Sequence, residues 1–258
     1  MKIQFKKYQG TGNDFVMIDN RKNDISLTQK QVAFLCHRRF GIGADGLILL
    51  EELEGYDFKM VYYNSDGRES SMCGNGGRCI LQFAHDLGLI REEYKFLAID
   101  GDHLGRVNAD EVSLKMMDAT KAETAAEDFI LDTGSPHYVR PKTNIDAQDL
   151  ITEAKGVRYS DRFKAEGINF NYLEVLSDDQ LAVRTYERGV EDETYSCGTG
   201  VTAATLVHAQ RHHLPKGEFG VKTKGGNLKV RFEATDKGFE NIWLSGPATY
   251  VFDGEINL

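Results

Sequence analysis

The wording Glu-x-x-x-Cys-Gly-x-Gly occurs twice in this chain, as Glu69-Ser-Ser-Met-Cys73-Gly-Asn-Gly76 and as Glu193-Thr-Tyr-Ser-Cys197-Gly-Thr-Gly200. The two cysteines stand 124 positions apart in 258 residues, about half the chain. A second echo has nearly the same offset: Asp132-Thr-Gly-Ser135-Pro-His137-Tyr-Val139 repeats Gly10-Thr-Gly-Asn13-Asp-Phe-Val16, displaced by 122. A chain built this way folds as two related halves, each with a thiol placed just before a glycine turn and a helix. The expected domains are residues 1–117, completed by a last strand within 248–258, and residues 118–247.

In the first half, Ile3–Tyr8 and Phe15–Asp19 read as strands around a turn whose tip holds Asn13. Thr28 is a natural N-cap for a helix that sets Val32, Leu35 and Cys36 on one face, which makes Cys36 and His37 structural. Gly41-Ile-Gly43-Ala-Asp-Gly46 has the spacing of a dinucleotide fingerprint but follows a helix and precedes the strand Leu47–Glu51. That is the reverse of what such a site requires. Strand Phe58–Tyr63 leads into Asn64 and the first cysteine motif.

Gly77–Gly88 is apolar around much of its circumference and reads as a buried helix, with Cys79 in its core. Strands near 94–99, 103–108 and 111–117 follow, turning at Gly101-Asp102 and at residues 108–110. The polar stretch 118–127 is the expected crossover. The second half gives a helix near 146–155, strands near 168–176 and 180–186, a helix over 200–214 stopped by Pro215, and three strand-like runs between 217 and 252. His212 and His213 cap and solvate the end of that helix.

Forty acidic residues against thirty-one basic ones, a net charge of −9, disfavour nucleic acid as a partner. No run reaches the roughly 18 apolar residues of a membrane span, and the amino terminus lacks a signal-like apolar core. The expectation is a cytoplasmic protein whose four cysteines stay reduced. Cys73-x5-Cys79 fits neither redox nor zinc spacing, so no metal is expected.

A helix start offers unpaired N–H groups and the positive end of the helix dipole, which favours a carboxylate and a thiolate there. Two such thiols on opposite faces of a substrate carbon form one base and one acid, able to remove a proton from one side and return another to the other. The chemistry so suggested is racemisation or epimerisation. Amides of glycine-rich helix starts would stabilise the enolate-like carboxylate of the carbanion. A thiol redox sensor forming a Cys73–Cys197 disulfide is the alternative from another class.

Gly10-Thr-Gly-Asn-Asp-Phe15, Asn64-Ser-Asp-Gly67, Met72-Cys-Gly-Asn-Gly-Gly-Arg-Cys79 and Glu187-Arg-Gly189 with Cys197-Gly-Thr-Gly200 together resemble the diaminopimelate epimerase family over nearly the whole chain. The resemblance implies an α/β (α+β) fold of two pseudo-symmetric domains, each a curved mixed sheet around a central helix. It also implies interconversion of LL- and meso-2,6-diaminopimelate in lysine and peptidoglycan precursor synthesis. No pyridoxal phosphate or other cofactor would take part, and the protein would be a homodimer.

By the same resemblance Cys73 and Cys197 are the acid/base pair, and Gly74, Asn75, Gly198 and Thr199 hold the reacting carboxylate. Asn64, Asn169 and Arg188 hold the distal end of the substrate. Glu187, assisted by His137, lies near the reacting ammonium, and Asn13 and Ser135 complete the substrate contacts. Ser135 stands where the family pattern usually has Asn, and the 187–197 loop is one residue longer than common forms, which leaves Glu191, Asp192 and Glu193 unplaced. Proline racemase or hydroxyproline epimerase is the alternative within the class; Arg188, Asn64 and Asn169 speak against it, since proline has no distal carboxylate.

Overall fold

The computed structural model describes residues 2–109 and 111–258. Its contacts divide the chain into two units, one running to Leu114 and resumed at Gly246–Leu258, the other Lys115–Ser245. The first unit contains β1 (Lys2–Gly10), β2 (Asn13–Asp19), α1 (Gln29–Cys36), β3 (Gly46–Glu51), β4 (Phe58–Asn64), α2 (Gly74–Asp86), β5 (Tyr94–Ala98), β6 (Gly101–Asn108) and β7 (Glu111–Lys115).

The second contains β8 (Ala119–Thr120), β9 (Glu123–Ala125), β10 (Asp128–Asp132), β11 (Pro136–Pro141), α3 (Leu150–Arg158), β12 (Asn169–Ser177), β13 (Gln180–Glu187) and β14 (Asp192–Thr194), then α4 (Gly198–Arg211), β15 (Lys216–Thr223), β16 (Gly226–Ala234) and β17 (Gly238–Gly246). The last strand, β18 (Thr249–Asn257), returns to the first unit and pairs antiparallel with β1.

The duplication is explicit in the strand pairings. From β1 to β7 the successive pairs run antiparallel, parallel, antiparallel, parallel, antiparallel, antiparallel. From β10 through β11, β12, β13, β15 and β16 to β17 the order is the same. In each unit the two parallel pairs are bridged by helices, α1 and α2 in one and α3 and α4 in the other, because parallel neighbours need a long crossover connection.

Alternation along the strands decides what each face covers. In β2, Val16 and Ile18 join Val32, Leu35 and Cys36 of α1 in one apolar cluster. Phe15, the neighbouring residue, points to the opposite face and meets α2, its ring 3.5 Å from where a Cβ on Gly76 would lie. Helix α2 packs on β1, β2, β3 and β6, strands far apart in the order, so the sheet curls around it; α4 likewise touches β10, β11, β12, β13, β15 and β16. Their surroundings explain why both helices are buried almost all round.

Several boundaries differ from the sequence reading. Helix α2 begins at Gly74 and α4 at Gly198, earlier than periodicity alone indicates, because glycines carry no pattern. Helix α3 begins at Leu150 behind the N-cap Asp149, after a separate 3-10 turn at Ile145–Ala147. The crossover stretch contains two short strands, β8 and β9. Four strands, not three, follow α4, and β14 was not anticipated. Residues 99–100 form the β5–β6 turn, and Gly101 already belongs to β6. The turn expected at 108–110 includes Asp110, which lies outside the described residues.

Candidate active site

Helices α1 to α4 start in two different ways. Outer helices α1 and α3 are capped by their own side chains: Thr28 and Gln31 form a capping box, and the Asp149 carboxylate accepts from Thr152 N. Inner helices α2 and α4 have Cys73 and Cys197 at the N-cap, neither side chain capping, and no acidic residue in the first turn. Helix starts left this way carry positive potential directly beside a thiol. The remaining cysteines are different: burial pushes both Cys36 and Cys79 up to about 12, so they stay protonated as core residues.

In the first unit the polar partners of Cys73 are oriented by a chain of charges. Lys7 and Arg38 both pair with Asp14, at 2.8 and 2.7 Å. Burial raises the Asp14 carboxyl, but the bonds from Arg38 and Lys7 outweigh it and hold it at about 2. Arg38 also reaches Asp45 at 2.7 Å, and Asp45 accepts from Asn13 Nδ2 at 2.7 Å. That bond fixes the Asn13 amide with Oδ1 facing inward, where it accepts from Asn75 Nδ2 at 3.3 Å and from the Cys73 thiol at 3.6 Å. Asn64, exposed at the end of β4, accepts from the Tyr62 hydroxyl at 2.8 Å.

In the second unit a fully buried imidazole lies beneath α4. Asn171 Nδ2 faces both the Tyr138 carbonyl, at 3.2 Å, and His137 Nδ1, at 3.0 Å, while its Oδ1 accepts from the Thr185 hydroxyl at 2.8 Å. A carbonyl can only accept, so the amide orientation is settled and His137 Nδ1 is an acceptor. Burial, and then the charge of Arg188, depress the His137 pKa to about 3, so the ring is neutral with its proton on Nε2. Nε2 donates to Thr199 Oγ1 at 2.9 Å, and the same oxygen lies 3.4 Å from Cys197 Sγ. Thr133 Oγ1 donates to the Thr199 carbonyl at 2.8 Å. Gly200 sits over this network so closely that a Cβ there would come within 2.5 Å of Asn171 Oδ1.

Asn169 Nδ2 donates to Ser135 Oγ at 2.8 Å and to the Pro136 carbonyl at 3.1 Å, and its Oδ1 accepts from Arg188 N at 2.8 Å. Arg188 is exposed, with Nη1 donating to the Glu166 carbonyl at 2.9 Å. Glu187 ends β13, half-buried. The 187–197 loop is pinned by Glu191, in left-handed backbone at φ 59°, which accepts from Arg158, Tyr159, Tyr186 and Gly189 N. Glu193 pairs with Arg184 at 2.7 Å, and Asp192 accepts from Glu193 N at 2.8 Å.

A chain with this repeat, this fold and these helix starts has clear relatives. The model of the family described as diaminopimelate epimerase matches residues 5–122 and 129–251. A diaminopimelate epimerase of Flavobacterium psychrophilum is 47% identical over 260 residues, covering 98% of this chain and 100% of that one. The chain belongs to the diaminopimelate epimerase family. Members of this family are isomerases in name, and the architecture extends further. A phenazine biosynthesis protein of the PhzF family from Bacillus anthracis superposes with a TM-score of 0.80 at 15% identity, over 100% of both chains. A probable proline racemase from Agrobacterium radiobacter K84 does so at 0.69 and 13% identity, over 99% of this chain and 93% of that one. At such identities these two likenesses concern the fold alone.

Within the first unit Asn13, Cys73, Gly74 and Asn75 form one polar cluster, while Asn64 is bonded separately. Within the second, His137, Thr199 and Cys197 form one chain, and Ser135, Asn169 and Arg188 another. Both ring nitrogens of His137 are engaged, Nε2 by Thr199 and Nδ1 by Asn171, and the Thr199 hydroxyl carries the contact on to Cys197. Sequence reasoning missed Asn171, Thr185, Asp45 and Arg38. The one available signal was Asp45 within the glycine-rich turn 41–46.

Proposed function

We propose that the protein interconverts LL- and meso-2,6-diaminopimelate by moving the α-proton between two thiols. The observation that carries this reading is the pair of uncapped, glycine-rich helix starts, each with a cysteine whose hydrogen-bond partner is itself held by further hydrogen bonds, Asn13 by Asp45 and Thr199 by His137. Cys73 donates to an amide oxygen and is thereby favoured as the thiol. Thr199, with one lone pair already engaged by His137, has its hydroxyl proton available for a thiolate at Cys197.

The thiolate of Cys197 takes the α-proton, leaving a carbanion whose charge spreads into the α-carboxylate, and the thiol of Cys73 gives its proton to the opposite face. The reverse reaction exchanges the roles. An α-proton of an amino acid is very weakly acidic, so the amides of Gly74, Asn75, Gly198 and Thr199 are assigned to the carboxylate, where charge develops. Acid and base both come from the chain, so the reaction needs no pyridoxal phosphate or metal.

Arg188, with Asn64 and Asn169, is assigned to the distal end of the substrate, where a guanidinium reads a carboxylate by charge and shape together. Glu187 is assigned to the reacting ammonium, and Asn13 and Ser135 to polar contacts beside it. The activity would serve lysine and peptidoglycan precursor synthesis in the cytoplasm. No helix among the described residues is long and apolar enough to cross a membrane. A homodimer is part of the proposal, supported by exposed Tyr250, Val251 and Phe252 on β18, which otherwise pairs with β1.

Incubation with LL-diaminopimelate, and separately with L-proline, in deuterated water under reducing conditions tests the reading. Deuterium enters the α-position of diaminopimelate and not of proline. Absence of exchange with diaminopimelate would overturn it, and so would wild-type inversion by Cys73→Ala or Cys197→Ala.

A further inference from the structure

Arg78 lies in the second turn of α2 and has no accessible surface, the largest fully buried side chain among the described residues. A guanidinium so placed is ordinarily matched by a carboxylate, because an unpaired buried charge is costly. Here every acceptor is neutral: Asn75 Oδ1 at 3.0 Å, the Gly74 carbonyl at 3.3 Å, Thr11 Oγ1 at 3.3 Å and the Pro247 carbonyl at 3.4 Å. Among the described residues Arg78 makes no ion pair, and the ionisable groups whose charge bears on it are the Cys79 and Cys73 thiols. Of these, Cys79 is fully buried and stays a thiol. Cys73 is half-exposed at the start of the same helix.

The hydrogen bonds of Arg78 also have a direction. By donating to Asn75 Oδ1 it turns Asn75 Nδ2 toward Asn13 Oδ1, the atom that accepts from the Cys73 thiol. Arg78 therefore acts on Cys73 in two ways, through its charge and through the amide pair Asn75–Asn13. Those contacts oppose one another. Asn13 Oδ1 favours the protonated thiol, and a standing positive charge favours the anion left when the proton is given up.

We propose that Arg78 is a positioning residue whose uncompensated charge makes the Cys73 thiolate accessible, so that Cys73 can both donate and retrieve a proton. The assignment deepens the two-thiol reading and rests on it for its catalytic meaning. A helix start with a neutral residue at position 78 would hold Cys73 as an acid that cannot easily be left ionised. The charge serves whichever direction the reaction runs.

The test is peptide-resolved alkylation of the reduced full-length protein with iodoacetamide across pH, which reads the thiol pKa without requiring turnover. Cys197, which begins a different helix and lies beside Thr199, is the internal reference. Arg78→Met should raise the apparent pKa of Cys73 by about one unit, an approximately tenfold slower alkylation below the pKa, with Cys197 unmoved and Arg78→Lys recovering most of the shift. A Cys73 profile unchanged in folded Arg78→Met, or an equal shift at Cys197, would overturn the proposal. A purely structural role would lower the melting temperature and leave the Cys73 profile where it was.

Should Arg78→Met not fold, the wild-type arginine can be tested against a permanent anion. Cys73→Asp should melt no lower than Cys73→Asn at pH 8, and should lose that standing as its carboxyl protonates. A Cys73→Asp protein several degrees less stable at pH 8 would refute the role of the charge. Both outcomes are independent of whether diaminopimelate is the substrate.

Discussion

Thr199 Oγ1 lies 3.4 Å from Cys197 Sγ, across the first turn of the helix that Cys197 begins, and 2.9 Å from the ring nitrogen that carries the only N–H proton of a buried neutral imidazole. The hydroxyl thus receives from His137 and has its own proton to offer to sulfur. Replacing Thr199 by Val keeps the shape and removes that donor. A hydrogen bond to a charged group contributes about 1.5–3 kcal/mol, so kcat should fall roughly 10- to 100-fold. Alkylation of Cys197 should shift to higher pH while that of Cys73 does not, and steady-state rates with alkylation profiles check both.

His137 makes stability depend on pH with a defined sign. Its pKa falls from an ordinary 6.5 to about 3 on folding, so below about 6.5 the unfolded chain binds a proton that the folded one refuses. Stability from this group is complete above 6.5 and is lost as pH falls toward 3, by up to about 1.4 kcal/mol per pH unit. Urea unfolding at pH 7, 6 and 5 should show the decline in the wild type, and His137→Gln should reduce it, leaving the share of His208, whose pKa burial also lowers. Asp14, lowered from 3.8 to about 2, loses its contribution as pH falls through that interval, below the pH values compared.

Two glycines in helices give opposite expectations. At Gly200 a methyl group would come within 2.5 Å of Asn171 Oδ1 and 3.2 Å of Thr185 Oγ1 and the His137 ring, atoms held by mutual hydrogen bonds. Gly200→Ala should cost about 1–3 kcal/mol in thermal or denaturant unfolding and reduce activity by displacing the start of α4. At Gly156, in α3, nothing lies within 4 Å of where a methyl group would sit. Gly156→Ala should stabilise by about 0.5–1 kcal/mol with activity unchanged.

Arg188 is exposed and makes no ion pair with a carboxylate among the described residues, its Nη1 resting on the Glu166 carbonyl. If it reads the distal carboxylate, Arg188→Met should raise KM for diaminopimelate by about 10- to 100-fold, and Arg188→Lys should recover only part of this because the planar fork is lost. The alkylation profiles of both thiols should stay near wild type. An unchanged KM in Arg188→Met would remove this residue from the substrate contacts.

What was legible in the sequence was local. Thr28 announced α1 because a cap and its helix are neighbours, and Cys73 and Cys197 were visible as helix-start thiols because the glycines beside them are contiguous. Asn171 and Thr185 were not legible, since two polar residues on adjacent strands acquire meaning only when register sets them opposite one another beneath Gly200. Arg78 offered no local signal either: an arginine on a helix is ordinarily a solvated one, and its burial follows from the curl of the sheet. Strands β8, β9 and β14 are too short to show a period of two.

The pairing of β1 with β18, which runs from Lys2 opposite Asn257 to Gln9 opposite Thr249 with a register shift between Lys7 and Tyr8, joins segments separated by most of the polypeptide. The second unit is drawn from one continuous stretch, whereas the first lacks a strand until residues beyond 248 are available. During synthesis the half that emerges first is therefore the half that is finished last. Its edge at β1, with the apolar Ile3 and Phe5, stays uncovered while everything between is being made. A released chain truncated before residue 249 should show a second unit resistant to protease and a first unit still open to it, with the pairing of β1 and β18 as the slow, non-local step of folding.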